Sequence, residues 1–436
     1  MAEAKAALLV SPSLEGHRQV YAGIFSRLLV AQGYRVCVAT QYGEAGTEPS
    51  WPHLDGLADD DRQVSFVDVG REARSGPGLR LDRLLDIARE VRPDITILAE
   101  ADNHMRLLLD LGLAGKGRVL GRRIGVFIRA TNYIYNDRPA ATLREVAHRV
   151  RSYPSRWSQD RRLFLSTLIP RMRLLDSALC LDELFVAAHG APYRWLPDIY
   201  RTFDDLEDGG REIRHWQPLL TDFLSTNGAR PVFVYFGAPH YRRGYDWLLK
   251  LAVEERGCFV HCGRRDELTR FDFDPWELRR ELSKRDALFE TNEYVADFGV
   301  VDLFLRAGSL MVLPYQHHYG SSGVMLQALH AGRPVLVPDN GLMGCRTETH
   351  GLGSTYRHRD WNDLRQKYRL LAESPDETYG TAIKEFLLYF SQEHVEAALR
   401  LAFGFDAPPV LLPETRRCRQ KRRTLPRHLR ATSGSS

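Results

Sequence analysis

Between Pro314 and Pro338 the chain reads PYQHHYGSSGVMLQALHAGRPVLVP, and Gly320, Ser321, Ser322 and Gly323 link a strand ending at Tyr315 to a helix opening near Val324. Such a small-residue turn presents several backbone N–H groups together, and a helix N-terminus adds about half a positive charge. The pair suits a phosphate or a diphosphate; a Gly/Ser helix start without a ligand has the same pattern. Gly16-His17 directly follows the first apolar run. An imidazole with an unperturbed pKa of about 6.5 can take a proton from a hydroxyl at neutral pH. Glu15, Glu100 and Asp102, at predicted strand ends or in the loops after them, are carboxylates that could orient it. A lone loop histidine is also an ordinary surface or helix-capping residue. Cys258, His261 and Cys262 approach a metal-ligand spacing, but they sit in the apolar run CFVHC with no second ligand pair nearby, and no metal is expected there.

The elements that must position these groups are short and regular. ALLVS (7–11), YRVCVAT (34–40), VSFVDV (64–69), DITILAE (94–100), IGVFIRA (124–130) and ALCLDE (178–183) are apolar runs rather than alternating ones. Such runs read as strands of a parallel sheet covered by helices on both faces. VYAGIFSRLLVAQG and LDRLLDIARE carry apolar residues at three- and four-residue spacing and read as helices. After WLPDIYRTFDD the pattern restarts with PVFVYFG, YDWLLKLAVEE, CFVHCG, ALFETNEYV, a helix ending near Arg306, SLMVLPY, VMLQALHAG and PVLVPD. The fold class is therefore α/β, with two consecutive Rossmann-like domains and a boundary between 195 and 230. Ligands in such folds bind beyond the carboxyl ends of the strands, and a cleft between the two domains is the default site.

Composition sets the outer limits. The chain has 436 residues, 44% of them hydrophobic, with 60 Lys and Arg against 56 Asp and Glu. That is an ordinary globular composition, with no apolar run near the roughly 18 residues that span a bilayer. The start lacks a signal-peptide pattern, and the chain is expected in the cytoplasm. Arg416, Arg417, Arg419, Lys421, Arg422, Arg423, Arg427 and Arg430 crowd into the last stretch; without these eight the net charge of +4 becomes −4. A specific nucleic-acid binder is not expected. The tail from 414 to 436 reads as disordered and basic, able to contact an anionic membrane at its inner face. Six cysteines are too few for a disulfide scaffold.

The Pro314–Pro338 segment resembles the donor-binding signature of GT-B glycosyltransferases of the family 4 (group 1) type, in which a Pro-Tyr or Pro-Ser strand end leads to a Gly turn, a helix and Gly-x-Pro-Val. NEYV with DLFLRAGSLMVLPY, NGLMGCRTETHGLG, VYFGAPHYRRGYDWLLKLA and GHRQVYAGIFSRLLVAQGYRVCVAT resemble neighbouring stretches of the same family in register. The resemblance covers most of residues 7 to 360, strongly in the second half and weakly between 131 and 177. It implies a GT-B architecture: an acceptor domain over 1–200 with a helical insertion at 131–177, a donor domain over 201–385, and a helical stretch over 386–413 packing back on the first domain. The implied activity is sugar transfer from a nucleotide-diphosphate sugar to a saccharide or lipid-linked acceptor, with retention and without a metal or other cofactor.

By the same resemblance the donor contacts are Gly16, Gly237, His240, Tyr294, His318, Tyr319, Gly320, Ser321, Ser322, Gly323 and Gln327, and the catalytic candidates are His17, Arg243, Glu100 and Asp102. Three departures stand out. The family's two Glu, separated by seven residues, are here Tyr319 and Gln327; Gln327 can still hydrogen-bond a ribose, whereas Tyr319 supplies no carboxylate charge. The family's diphosphate Arg is Ala238, and its Lys is Arg243, whose planar fork can bind two phosphate oxygens at once. These changes, with the Glu15-Gly16-His17 loop, leave an inverting reaction open, because several inverting GT-B families use a His there as general base. They also leave open a catalytically degraded protein that binds a nucleotide sugar or glycan without turnover. In the 131–177 stretch, TNYIYN and six arginines from Arg144 to Arg162 could meet a sugar or an anionic acceptor, or simply form solvated helix faces.

Overall fold

The computed structural model describes residues 5–11, 14, 17–42, 63–70, 79–128, 168–170, 172–200, 211–264, 271–293, 295, 298–316, 318–374 and 378–414. Their contacts divide into two compact units, one holding the described residues up to Tyr200 together with Phe390–Leu412, the other holding 211–389. Most of the 131–177 stretch and the tail beyond Glu414 lie outside the described residues.

The first unit runs β1 (Lys5–Val10), α1 (His17–Val30), β2 (Tyr34–Thr40), β3 (Val64–Asp68), α2 (Leu81–Val91), β4 (Ile95–Leu98), α3 (Met105–Leu113), β5 (Arg122–Phe127), β6 (Ser177–Cys180), α4 (Glu183–His189) and β7 (Tyr193–Trp195). The sheet order is β3-β2-β1-β4-β5-β6-β7, parallel throughout. All four residues of β4 and five of the six in β1 are buried, as expected for strands covered on both faces. Helix α2 buries Leu84, Leu85, Ile87 and Ala88, one stripe at helical spacing, and stops at Arg92 because Pro93 cannot continue it.

The second unit runs α5 (Arg211–Asn227), β8 (Val232–Phe236), α6 (Tyr245–Glu254), β9 (Cys258–Cys262), α7 (Pro275–Ser283), β10 (Leu288–Glu290), α8 (Phe298–Ala307), β11 (Met311–Val312), α9 (Gly323–His330), β12 (Val335–Pro338), α10 (Gly341–His350), β13 (Gly353–Tyr356), α11 (Trp361–Ala372) and α12 (Gly380–Leu387). Its strands form two parallel triplets, β10-β9-β8 and β11-β12-β13, with β11 alongside β8. Strand order therefore reverses between β1 and β4 in one unit and between β8 and β11 in the other. At such a reversal, the two loops leaving the adjacent strand ends open a crevice.

A last helix, α13 (Gln392–Phe403), lies on β6 and β7 of the first unit. Phe403 meets Phe25 edge to face at 6.3 Å, and Phe390 meets Trp195 in the same way at 5.7 Å. Several elements are shorter than their apolar runs predict: SLMVLPY forms only a two-residue strand, and ALFETNEYV only Leu288–Glu290. After β11 the chain leaves the sheet to build one of the loops described next.

Candidate functional site

In the second unit the first loop to consider leaves β8. Gly237 has φ +95°, and its N–H donates to Cys262 O at 2.8 Å, which turns the chain sharply off the strand. The Tyr235 hydroxyl ties the loop at two points, donating to Ala238 O at 3.0 Å and accepting from His240 N at 3.3 Å. Burial pushes the Tyr235 phenol well above its usual range, so it remains a donor. His240 Nδ1 accepts the Arg242 N–H at 3.0 Å; burial, and then Arg242 and Arg243, push its pKa down, so the ring is the neutral cap of a short 3-10 turn. The Arg243 side chain returns across the turn, so that a Cβ added to Gly237 would lie 2.6 Å from Arg243 Nη1. Its contact with Phe236 O is long, at 3.5 Å, and leaves donor capacity for a ligand.

The second loop leaves β11. Arg242 O accepts from Gln316 N at 2.9 Å, and the His358 ring approaches Gln316 O at 2.6 Å, so the two strand-end loops of the reversal are fastened to one another. His318 Nε2 lies 2.7 Å from Ser321 O; a carbonyl only accepts, so this nitrogen carries the proton. Ser322 caps α9, its Oγ accepting from Met325 N at 3.3 Å. The earlier amides of the helix start, at Gly323 and Val324, have no acceptor within the helix. Arg346, only 1% exposed, donates to Ser321 Oγ at 2.8 Å, placing a buried cation behind the turn. Gly320, Ser321, Gly323 and Gln327 are half-buried, whereas Tyr319 is 8% exposed and its carbonyl accepts from Leu342 N at 2.8 Å.

Chemically, a guanidinium fork over a glycine turn, a capped helix start and a second buried guanidinium are groups that could take up an anion. Gly237, His240 and Arg243 share the loop after β8, which the Gln316 N to Arg242 O bond ties to the loop that carries 318–323; Tyr294 lies outside the described residues. Arg346 and His358 were not singled out by sequence. The former sits in GLMGCRTETH, where a lone arginine among small residues is the available signal.

The first-unit candidates are less unified. Gly16 and the side chain of His17 lie outside the described residues, while His17 itself opens α1. Glu100 meets Arg18 Nε at 3.1 Å and accepts from Asn103 Nδ2 at 2.6 Å. Asp102 is buried and accepts the Ile128 N–H at 3.0 Å, which fastens the loop after β4 to the end of β5. Beside them, His104 is buried, and desolvation, opposed by the Glu100 charge, lowers its pKa to about 4. Its folded value lies below the unfolded value of about 6.5, so the unfolded chain takes up the extra proton as pH falls through this window. Stability from His104 is complete above pH 6.5 and drains away towards pH 4, by roughly 3 kcal/mol in all. Urea unfolding at pH 7 and 4.5 should show His104→Leu losing less stability on acidification than the wild type, by about 2 kcal/mol.

Among the described residues no group of three or more His, Cys, Asp or Glu could hold a metal. In the fully buried β9, strand alternation sends Cys258 and Cys262 to one face and His261 to the other.

No protein-family model and no curated protein matches the sequence. Solved structures do match, at low identity. Sucrose-phosphate synthase from Thermosynechococcus elongatus aligns over 92% of this chain and 98% of its own, with 15% identity and a TM-score of 0.60. WaaG, a glycosyltransferase involved in lipopolysaccharide biosynthesis, aligns over 92% and 100% respectively, with 13% identity and a TM-score of 0.56. Anabaena HepE in complex with UDP aligns over 92% and 95%, with 13% identity and a TM-score of 0.51. The chain has the GT-B fold, built on two Rossmann-like domains.

Proposed function

We propose that this chain is a glycosyltransferase of the family 4 type, moving a sugar from a nucleoside-diphosphate sugar to a saccharide or lipid-linked acceptor. The observation that carries the reading is Arg243 lying across Gly237 in the loop after β8, a loop that the Gln316 N–H fastens at Arg242 O to the loop after β11, at the strand-order reversal of the second unit. In support, a protein of the same fold is described with UDP bound. Arg243, the amides of the 320–324 turn and the α9 dipole would take up the charge that develops on the diphosphate as the bond from the anomeric carbon breaks. Those groups supply positive charge themselves, and the reading therefore assigns no metal.

Retention is proposed because the family 4 resemblance favours it; Glu100 is held by Arg18 and Asn103 and Asp102 accepts from Ile128 N, while Glu15 and the side chain of His17 lie outside the described residues. An inverting reaction would instead place the acceptor proton on His17. A second reading, binding of a nucleotide sugar without turnover, draws on Tyr319: where the family has a carboxylate, this residue is buried. Thermal-shift screening against uridine, guanosine and adenosine diphosphate sugars tests the shared premise, because a ligand of the folded state raises Tm with its affinity and concentration. No shift with any of them rejects both readings.

For the tail we propose peripheral contact with anionic lipid, at about 1 kcal/mol per basic residue near the surface. No helix among the described residues is long and apolar enough to cross a membrane. Deleting 414–436 should reduce co-sedimentation with anionic liposomes, and unchanged sedimentation removes this proposal.

A further inference from the structure

His261 is a polar side chain where the rest of its strand is apolar or sulfur-bearing, and it is 0% exposed. Its Nε2 lies 2.9 Å from Gly237 O; a carbonyl cannot donate, so this nitrogen carries the proton. On its other edge, Nδ1 faces Glu290 Oε1 at 3.5 Å, and Arg279 Nη2 holds Glu290 Oε2 at 2.6 Å. Arg279, Glu290 and His261 thus form a line of polar side chains through the core, ending on the carbonyl of the glycine that Arg243 crosses. The rings of Tyr235 and Tyr245, each 5.5 Å away by ring centroid, flank the imidazole, the first edge to face and the second tilted.

Burying such a line costs desolvation that an aliphatic residue at 261 would not incur, and apolar replacements of buried ionic groups are often neutral or stabilising. Fold stability alone therefore does not explain it. Its terminus does: β9 holds both polar groups of Gly237, the N–H through Cys262 O at 2.8 Å and the C=O through His261. Gly263 permits the close approach, because a Cβ there would lie 2.8 Å from both Gly237 C and O.

We propose that His261 is a positioning residue for the Arg243 loop, fixing the Gly237 carbonyl so that the turn presents Arg243 to a diphosphate; the inference rests on the donor-site reading above. It acts through Arg243 and touches no ligand. Its loss should weaken binding of the diphosphate and leave binding of the nucleoside portion alone.

The test is calorimetric binding of UDP, GDP and ADP, and of the corresponding nucleosides, to the full chain as wild type, His261→Leu, His261→Gln, Arg243→Ala and the His261→Leu/Arg243→Ala double variant. Expected are roughly tenfold weaker diphosphate binding in His261→Leu, unchanged nucleoside affinity, and recovery in His261→Gln, whose amide can still donate to Gly237 O. The double variant should bind no more weakly than Arg243→Ala alone, because both act on one interaction. Equal weakening of nucleoside and diphosphate, additive losses, or an unchanged diphosphate affinity overturns the proposal. If His261→Leu does not fold, Glu290→Gln replaces it: a diphosphate-selective loss supports the proposal, and none overturns it. A wild type that binds no nucleoside diphosphate overturns the donor-site reading and this inference together, whereas wild-type binding with indifferent His261 variants overturns this inference alone.

Discussion

Arg243→Ala should weaken nucleoside-diphosphate binding by about 10- to 100-fold, the span expected when hydrogen bonds from a charged donor, worth roughly 1.5–3 kcal/mol, are removed. Turnover should fall further, by about 10²- to 10³-fold, because leaving-group charge is greatest in the transition state and a preorganised donor counts most there. The competing effect is loss of structure, and the geometry makes it small. The side chain is half-buried, and its described backbone contact, to Phe236 O, is a long 3.5 Å. The variant should therefore melt close to the wild type while losing the ligand. Arg243→Lys keeps the charge and discards the planar fork, so it should recover only part of the affinity. Titration calorimetry paired with melting curves separates the two effects.

Gly244→Val should cost the second unit about 4 kcal/mol or more and lower its Tm by roughly 10 °C. Gly244 has φ +65°, where a β-branched residue is strained. Steric overlap adds more than this backbone strain: a Cβ there would sit 2.0 Å from Pro314 O and 2.8 Å from Pro314 C. Both atoms are backbone at the end of β11, so no rotamer change relieves the clash. Either the β11 end or the start of α6 must move, and the Gln316 N to Arg242 O bond at 2.9 Å is the first to go. The movement would also part the Arg243 loop from the 318–323 turn, so ligand affinity should fall with stability. Gly380→Ala is the control, since nothing lies within 4 Å of its added Cβ; it should be neutral or slightly stabilising. Circular-dichroism melts of the three proteins decide the matter.

The parallel sheets were legible because burial on both faces writes a strand as an apolar run, as in YRVCVAT for β2 and CFVHC for β9. β7 escaped because it is three residues long with Arg194 exposed in the middle, and β13 because GSTY has no apolar run to mark it. α3 escaped for the opposite reason, its dense leucines MRLLLDLGL following directly on the loop after β4. Within the candidate site, the Gly237 turn, Arg243 and the 320–323 turn were readable because turn-forming residues and a neighbouring cation declare themselves locally. Arg346, His261 and His358 were not, because their partners lie 25, 24 and 42 residues away, and only the folded sheet brings them together. In CFVHC the spacing of the cysteines and histidine is readable along the chain, but that the histidine faces opposite to the cysteines and ends on Gly237 O is visible only in the strand.

The central claim, that the Arg243 loop holds a diphosphate whose sugar is transferred, is met most directly by following nucleoside-diphosphate release. The full chain would be incubated with uridine, guanosine and adenosine diphosphate sugars, with and without saccharide and lipid-linked acceptors, alongside Arg243→Ala. The expected result is acceptor-dependent release from one donor, depressed at least ~100-fold in Arg243→Ala while its melting curve is preserved. Release that is identical in the variant, or a wild type that binds these donors yet frees no diphosphate with any acceptor or with water, would contradict it.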